Sequence, residues 1–141
     1  MTDSLATLVK LHKMRMDEQR QLLVKLQERL EQVEADITTL ELRQATEYLT
    51  VQEHPETSLT YGDFVRWAAA QGRELQKQKQ ATSTAIDLAR DRLAELFEEQ
   101  KRYELAQEAR AAEARREEQR RETMAMDEVG SVSFARKQRD K

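Results

Sequence analysis

The chain contains a single proline, Pro55, and it stands between two long stretches that otherwise read as helix. Proline has no backbone N–H and its ring clashes with the preceding turn, so an interior proline costs a helix about 3 kcal/mol. It also moves the residue before it, His54, out of the α region. One helix is therefore predicted to end near Glu53.

A helix start signal follows within a few residues of the proline. Thr60 has the position of an N-cap, with Asp63 as its return partner three residues later. Leu59 and Phe64 have the spacing of a hydrophobic staple. A stop and a start this close together are typical of an αα-hairpin, whose turn is predicted at residues 54–60.

A seven-residue apolar repeat runs through the first helix, predicted at about residues 4–53. Its members alternate at spacings of three and four, which gives the narrow stripe of a coiled coil. The best-formed part extends from Leu23 to Leu40, and polar residues interrupt both flanks. The full set is Leu5, Val9, His12, Met16, Gln19, Leu23, Leu26, Leu30, Val33, Ile37, Leu40, Gln44, Glu47 and Val51.

A fainter repeat of smaller residues follows in the second helix, predicted at about residues 61–123. Folding the chain near residue 56 places Leu23 opposite Ala89 and Leu30 opposite Thr82. The predicted fold is therefore all-α, a single domain of two long helices in an antiparallel coiled-coil hairpin with a C-terminal helical overhang. The second set is Tyr61, Phe64, Ala68, Gln71, Leu75, Gln78, Thr82, Ala85, Ala89, Arg92, Leu96 and Tyr103, widened by Val65, Ile86 and Leu93.

Beyond about residue 107 the second helix outruns the first. Glu and Arg alternate around alanines in 108–122, and i,i+4 pairs of about 0.2–0.5 kcal/mol each support a helix without a packing partner. Residues 124–141 then bring back apolar groups and end basic. This tail is either disordered or a recognition segment that folds on a partner. Its candidate contact residues are Met124, Met126, Val129, Phe134, Arg136 and Lys137.

Composition excludes several classes of protein. With 38% hydrophobic, 36% charged and 5% aromatic residues, the chain suits a coiled coil better than a globular core. A net charge of −3 gives no support for nucleic-acid binding. The lack of cysteine removes disulfides and Cys-based zinc sites. The N-terminus shows no signal pattern and no apolar run approaches the roughly 18 residues of a membrane span, so a cytoplasmic location is expected.

No catalytic constellation is visible in the sequence. His12 and His54 would lie at opposite ends of the hairpin, and no phosphate-binding loop, nucleophile elbow or metal motif is present. His12, at a stripe position, is interpreted as a partly buried register residue. A slim hairpin also offers no pocket that excludes water. We therefore predict a protein that is not an enzyme and holds no cofactor or metal.

Aromatic residues gather on both sides of the predicted turn. Tyr61 and Phe64 lie on the stripe, whereas Tyr48 and Trp67 lie beside it and should be partly exposed. Exposed aromatic rings are favoured anchors of protein contacts. The alternative is that these rings only cap the end of the coiled coil, and the sequence leaves both interpretations open.

Three motifs give the chain a family resemblance. A Tyr-x-x-Phe pair opens the second helix at Tyr61 and Phe64, a Glu-Tyr pair occupies 47–48, and a Met-Asp-Glu segment occupies 126–128. In layout and in these motifs the chain resembles the FliJ family, the stalk proteins of flagellar type III export. It resembles the injectisome protein YscO more distantly.

The resemblance implies a non-enzymatic export component. The end that carries both termini would insert into the pore of a hexameric export ATPase, and the coil would reach the cytoplasmic domain of the export gate. Attachment to the inner membrane would be peripheral and through these partners, and the family is also linked to export chaperones. The family's gate-docking positions correspond to Leu40, Tyr48, Phe64 and Ala68, to which exposure adds Trp67. Arg43 stands where the family can carry a second aromatic residue.

Two other functions remain open at this stage. A general coiled-coil scaffold or adaptor would associate with itself through the Leu23–Leu40 stripe, whereas the turn favours a monomeric hairpin. A secretion chaperone would need a wide exposed apolar groove, which a narrow stripe does not offer.

Overall fold

The computed structural model describes residues 2–140, with side chains from Ser4 onward. It consists of helix α1 at Thr2–Glu53, a 3-10 turn at Pro55–Thr57 and helix α2 at Ser58–Arg139, and no strand occurs among these residues. The predicted all-α class is confirmed. Lys141, the last residue of the predicted basic tail, lies outside the described range.

The proline ends α1 at the predicted residue. His54, with φ −130° and ψ 78°, leaves the helical region, and Pro55 opens the 3-10 turn. The His54 amide still donates to the Thr50 carbonyl at 2.8 Å, and the Thr57 amide donates to the His54 carbonyl at 3.0 Å. These two bonds carry the backbone from the last turn of α1 directly into the 3-10 turn.

Helix α2 begins at Ser58, three residues before the predicted start. The 3-10 turn runs directly into it, so Thr60 has helical geometry and its hydroxyl donates back to the Thr57 carbonyl at 2.8 Å. Asp63 pairs with Arg66 instead of closing a capping box. Leu59 is 88% exposed, so the hydrophobic staple does not form.

The buried side of α1 is the predicted stripe. Each buried or half-buried residue of α1, from Ser4 onward, belongs to the seven-residue repeat, and Gln44 is the one repeat member that is exposed. Met16 and Val33 are among the most completely buried side chains. A repeat of 3.5 residues therefore gives α1 a narrow buried face, with one residue in contact at each step of the repeat.

Residues Leu11–Phe97 form one compact unit, in which α1 and α2 run antiparallel. His12 Nε2 lies 2.7 Å from the Leu96 carbonyl oxygen, and Gln19 donates to the Ala89 carbonyl at 3.3 Å. His12 is buried in the seam, as its stripe position predicts. On α2 the repeat is looser, since Gln71 and Arg92 are exposed whereas Ile86, beside the stripe, is buried.

The second unit comprises residues 1–10 and 98–141. From Glu104 to Asp140 the described residues of this unit are exposed apart from Ala112. Helix α2 continues to Arg139, beyond the predicted limit near residue 123. Residues 124–139 contain no proline that would end the helix. Basic residues in the last turn also stabilise it, because they lie at the negative end of the helix dipole.

A substitution at Gly72 tests how closely α2 packs against Leu40 of α1. A Cβ added there would meet only Leu40 Cδ2, at 3.8 Å, which is an ordinary contact. We expect Gly72→Ala to raise the free energy of unfolding by about 1 kcal/mol, because alanine is the better helix former. Urea unfolding followed by circular dichroism measures the change. Gly62→Ala, whose Cβ meets nothing within 4 Å, supplies the propensity gain alone, and a destabilised Gly72→Ala would contradict the packing.

Candidate partner-binding surfaces

Three aromatic rings of α2 and one arginine of α1 meet near the turn. The Tyr61 and Phe64 rings stack with centroids 6.4 Å apart, and the Phe64 and Trp67 rings are tilted with centroids 5.8 Å apart. The Arg43 guanidinium lies 4.9 Å from the Trp67 centroid and 5.2 Å from the Phe64 centroid. We call Arg43, Tyr61, Phe64 and Trp67 the hinge cluster.

Arg43 joins the two helices at this cluster. A guanidinium over an exposed ring contributes about 0.5–1 kcal/mol, so its two ring contacts help to hold α1 against α2. Tyr61 and Phe64 are half-buried, whereas Trp67 is 45% exposed. Tyr61 and Phe64 thus pack at the end of the coil, as the capping interpretation expects, and Trp67 presents part of its ring to solvent, whereas a docking role for these rings stays a prediction.

Tyr48 lies outside these ring contacts. It is on α1, five residues after Arg43, and is 54% exposed. A tyrosine with so much free surface has an apolar face and a hydroxyl available to a partner. Tyr48 and Trp67 are therefore the most accessible aromatic groups of the predicted gate-docking set.

Leu40 and Ala68, the other two members of that set, are placed differently. Leu40 is 9% exposed and Ala68 is fully buried. Together with Ile37 and Gly72 they line an open groove between the helices, whose rim is polar and includes Glu41, Gln44, Arg73, Gln76, Lys77 and Gln80. Their contribution is to shape the groove floor beside the hinge cluster, because little of either side chain is free for direct contact.

The predicted ATPase-binding residues all lie on the last part of α2, residues 124–139, which we call the C-terminal segment. Met124, Met126, Val129 and Phe134 are exposed, as is the nearby Val132. At 3.6 residues per turn these five side chains point in directions roughly 60–80° apart around the whole helix. The segment therefore has apolar groups on every side and no single apolar face.

The end of the C-terminal segment is basic. Arg136, Lys137 and Arg139 occupy the last turn of α2 and are exposed. No carboxylate is paired with any of them among the described residues. The segment thus combines apolar groups all round the helix with unpaired positive charge at its tip.

A family model described as the flagellar FliJ protein matches residues 1–139. The chain belongs to the FliJ family. Its membership makes it a protein related to flagellar export, and both the hinge cluster and the C-terminal segment fall within the matched residues. No curated protein and no solved structure matches the chain.

Two further features bear on how a FliJ-family chain of this sequence could work. Neither helix, over residues 2–140, has a stretch long and apolar enough to cross a membrane. The same residues contain no group of three or more His, Asp or Glu side chains placed to hold a metal ion.

Sequence reasoning missed the role of Arg43. The only sign of it in the sequence is that Arg43 stands where the FliJ family can carry a second aromatic residue. The contact joins residues more than twenty positions apart, so it depends on the register between α1 and α2. Gly72 was missed for the same reason, since its closeness to Leu40 exists only in the folded hairpin.

Proposed function

We propose that this protein is a non-enzymatic stalk that joins the hexameric flagellar export ATPase to the cytoplasmic domain of the export gate. The observation that supports it best is a pair of chemically different exposed surfaces in separate units of one chain. One is aromatic and lies beside the hinge; the other is apolar on all sides with a basic tip. The protein would work in the cytoplasm, held at the inner membrane through its partners.

The hinge cluster suits the gate. Aromatic anchors beside a partly apolar groove are typical of the centres of protein interfaces. Tyr48 and Trp67 would contact the partner, Phe64 would hold the Trp67 ring in place, and Leu40 with Ala68 would form the floor on which a partner side chain rests. The cluster has no enclosed cavity for a small molecule, which favours a protein partner.

The C-terminal segment suits the ATPase ring. Apolar side chains on all sides of a helix are removed from water together only when a partner surrounds the helix. A ring-shaped partner covers a helix in this way, whereas a flat surface covers a single face. Arg136 and Lys137 would add electrostatic attraction to an acidic lining of the pore.

Burial of the coiled-coil stripe favours this function over a self-associating scaffold. Val33 and Leu40, at the centre and end of the Leu23–Leu40 stripe, are buried within the single chain. The stripe is therefore already covered by α2 and has little apolar area left for a second copy. A monomer of 16.5 kDa is expected in sedimentation equilibrium.

A three-component binding experiment tests the proposal. The full chain, the ATPase hexamer and the gate's cytoplasmic domain are mixed and resolved by size-exclusion chromatography. We expect one species that contains all three, and no joint species when the chain is left out. Binding of only one partner at a time would contradict the stalk function.

Truncation after Thr123 should separate the two contacts. We expect association with the ATPase to weaken by at least about a hundredfold, because five exposed apolar side chains and the basic tip are lost. Binding to the gate domain should be unchanged. The matched control is Leu105→Ala, which removes another exposed apolar side chain of α2 and should leave both affinities intact. If the truncated chain still binds the ring, the assignment of the segment is wrong.

A further inference from the structure

We propose that Arg43 is the specificity-determining polar contact of the hinge surface and that it binds a carboxylate of the gate's cytoplasmic domain. The inference rests on the proposed function, because it names the chemistry of the partner at the same surface. It concerns a residue that the aromatic docking positions do not include. Three features of the surroundings of Arg43 support it.

The first feature is the way the guanidinium is held. Its centre lies 4.9 Å from the Trp67 ring centroid and 5.2 Å from the Phe64 centroid. A guanidinium carries five N–H donors, and no hydrogen bond of the described residues uses those of Arg43, so they are available to a partner. Because the side chain is already ordered, less conformational entropy is lost when a partner binds.

The second feature is the lack of a carboxylate partner within the chain. Arg43 forms no ion pair with any described residue, although Glu47 lies one turn further along α1. Several other arginines are paired with a carboxylate three residues away: Arg20 with Asp17, Arg66 with Asp63 and Arg92 with Glu95. Arg43 instead lies over the two rings, and no carboxylate of the described residues neutralises its charge.

The third feature is the charge around the hinge. Residues 36–77 contain four basic and seven acidic residues, so an acidic partner surface would be repelled as a whole. Arg43 is the point in this region where an ordered cation is accessible beside exposed aromatic surface. The partner that fits is a largely apolar or neutral surface with one carboxylate, which two parallel N–H···O bonds from the guanidinium can bind. Such a contact fixes the orientation of the partner on the hinge.

Binding of the full-length chain to the gate's cytoplasmic domain tests this inference. The variants are Arg43→Met, which keeps an apolar stem over the rings, and Arg43→Lys, which keeps the charge but lacks the paired donors. The matched control is Arg66→Met, since Arg66 is exposed near the same turn but is already paired with Asp63. Affinity is measured by titration calorimetry at low and high salt, and folding by thermal unfolding.

We expect Arg43→Met to bind at least about tenfold more weakly than the parent chain, with a smaller loss of affinity on adding salt. The affinity of Arg43→Lys should lie between those of the parent and Arg43→Met. Arg66→Met should bind within about twofold of the parent. Arg43→Met should unfold only a few degrees below the parent, because it loses the two cation–π contacts between the helices but keeps an apolar stem over the rings. Removing the bound carboxylate from the gate domain should weaken its binding to the parent chain but not its binding to Arg43→Met. An acidic residue of the gate domain with this behaviour is the partner of Arg43.

Two results would overturn the inference while leaving the proposed function intact. One is an Arg43→Met variant that binds as tightly as the parent. The other is a parallel fall in affinity and thermal stability with an unchanged salt dependence, which would make Arg43 only a clamp between the helices. Failure of the parent chain itself to bind the gate domain would instead count against the proposed function.

Discussion

Alanine at both Tyr48 and Phe64 is expected to abolish binding to the gate's cytoplasmic domain while leaving the helix content unchanged. Tyr48 is an exposed anchor, and Phe64 supports Trp67 and Arg43 through its ring. Truncation of central aromatic anchors costs about 2 kcal/mol or more each, so the double variant should bind more than about a hundredfold more weakly. Alanine is also a better helix former than either residue, so α1 and α2 should persist.

The chain offers a closely matched control for this experiment. Phe97 is also a half-exposed ring of α2 with an arginine over it, since the Arg20 guanidinium lies 5.3 Å from its centroid. Phe97→Ala combined with Leu22→Ala removes one such ring and one exposed side chain of α1, both more than twenty residues from the hinge cluster in sequence. This control should bind the gate domain normally. Full binding by a folded Tyr48→Ala/Phe64→Ala variant would place the docking surface elsewhere.

Leu96→Ala should be among the most destabilising single truncations in the hairpin. Leu96 is 1% exposed and lies in the seam where its carbonyl oxygen contacts the His12 ring. Removing a buried leucine side chain costs about 2–5 kcal/mol, because apolar contact is lost and a cavity remains. A two-helix structure has few other buried residues to compensate, so a large part of its total stability would be lost.

Leu88→Ala provides the comparison for that stability measurement. Leu88 is on the same helix but is 65% exposed, so its truncation should change the free energy of unfolding by no more than about 0.5 kcal/mol. Both variants are compared by urea and thermal unfolding followed by circular dichroism. Equal effects at positions 88 and 96 would mean that the antiparallel register in Leu11–Phe97 is different from the one described.

The repeat in α1 shows how much of the fold local pattern can predict. A spacing of 3.5 residues places the repeat on one face of a helix, and that face is the buried one from Leu5 to Val51. The exception, Gln44, is exposed although its spacing fits the stripe. It faces the groove around Gly72, where the second helix offers too little side-chain volume to cover it.

The limits of α2 were less predictable. The capping signal at Thr60 indicated a start that the 3-10 turn made unnecessary, because the chain re-enters helical geometry as soon as Pro55 has been passed. The composition change after residue 123 left disorder or a binding segment open, whereas the helix continues to Arg139. In both cases nothing prevents the helix from extending further, because no proline follows Pro55 and a change of side-chain chemistry does not by itself break a helix.

The candidate binding surfaces were also only partly predictable from the sequence. Sequence indicated the aromatic residues near the turn and the apolar residues of the C-terminal segment, because residue type alone identifies groups that anchor contacts. It also separated the exposed Trp67 from the buried Ala68 next to it, because Ala68 lies on the stripe and Trp67 beside it. The ring contacts at the hinge, by contrast, depend on how α2 is rotated against α1. The placement of Arg43 over two rings of the other helix depends on the same rotation.

The sequence by itself determined that this protein is a helical hairpin that turns at Pro55. A proline without an amide hydrogen and a 3.5-residue repeat act through local backbone and helix geometry, which needs no knowledge of the partner helix. Only the tertiary structure decided how the groups near the turn are arranged: which rings contact one another, which residues form the floor of the groove and where Arg43 lies. Those features depend on register and rotation between two helices, and these are fixed by packing across the seam.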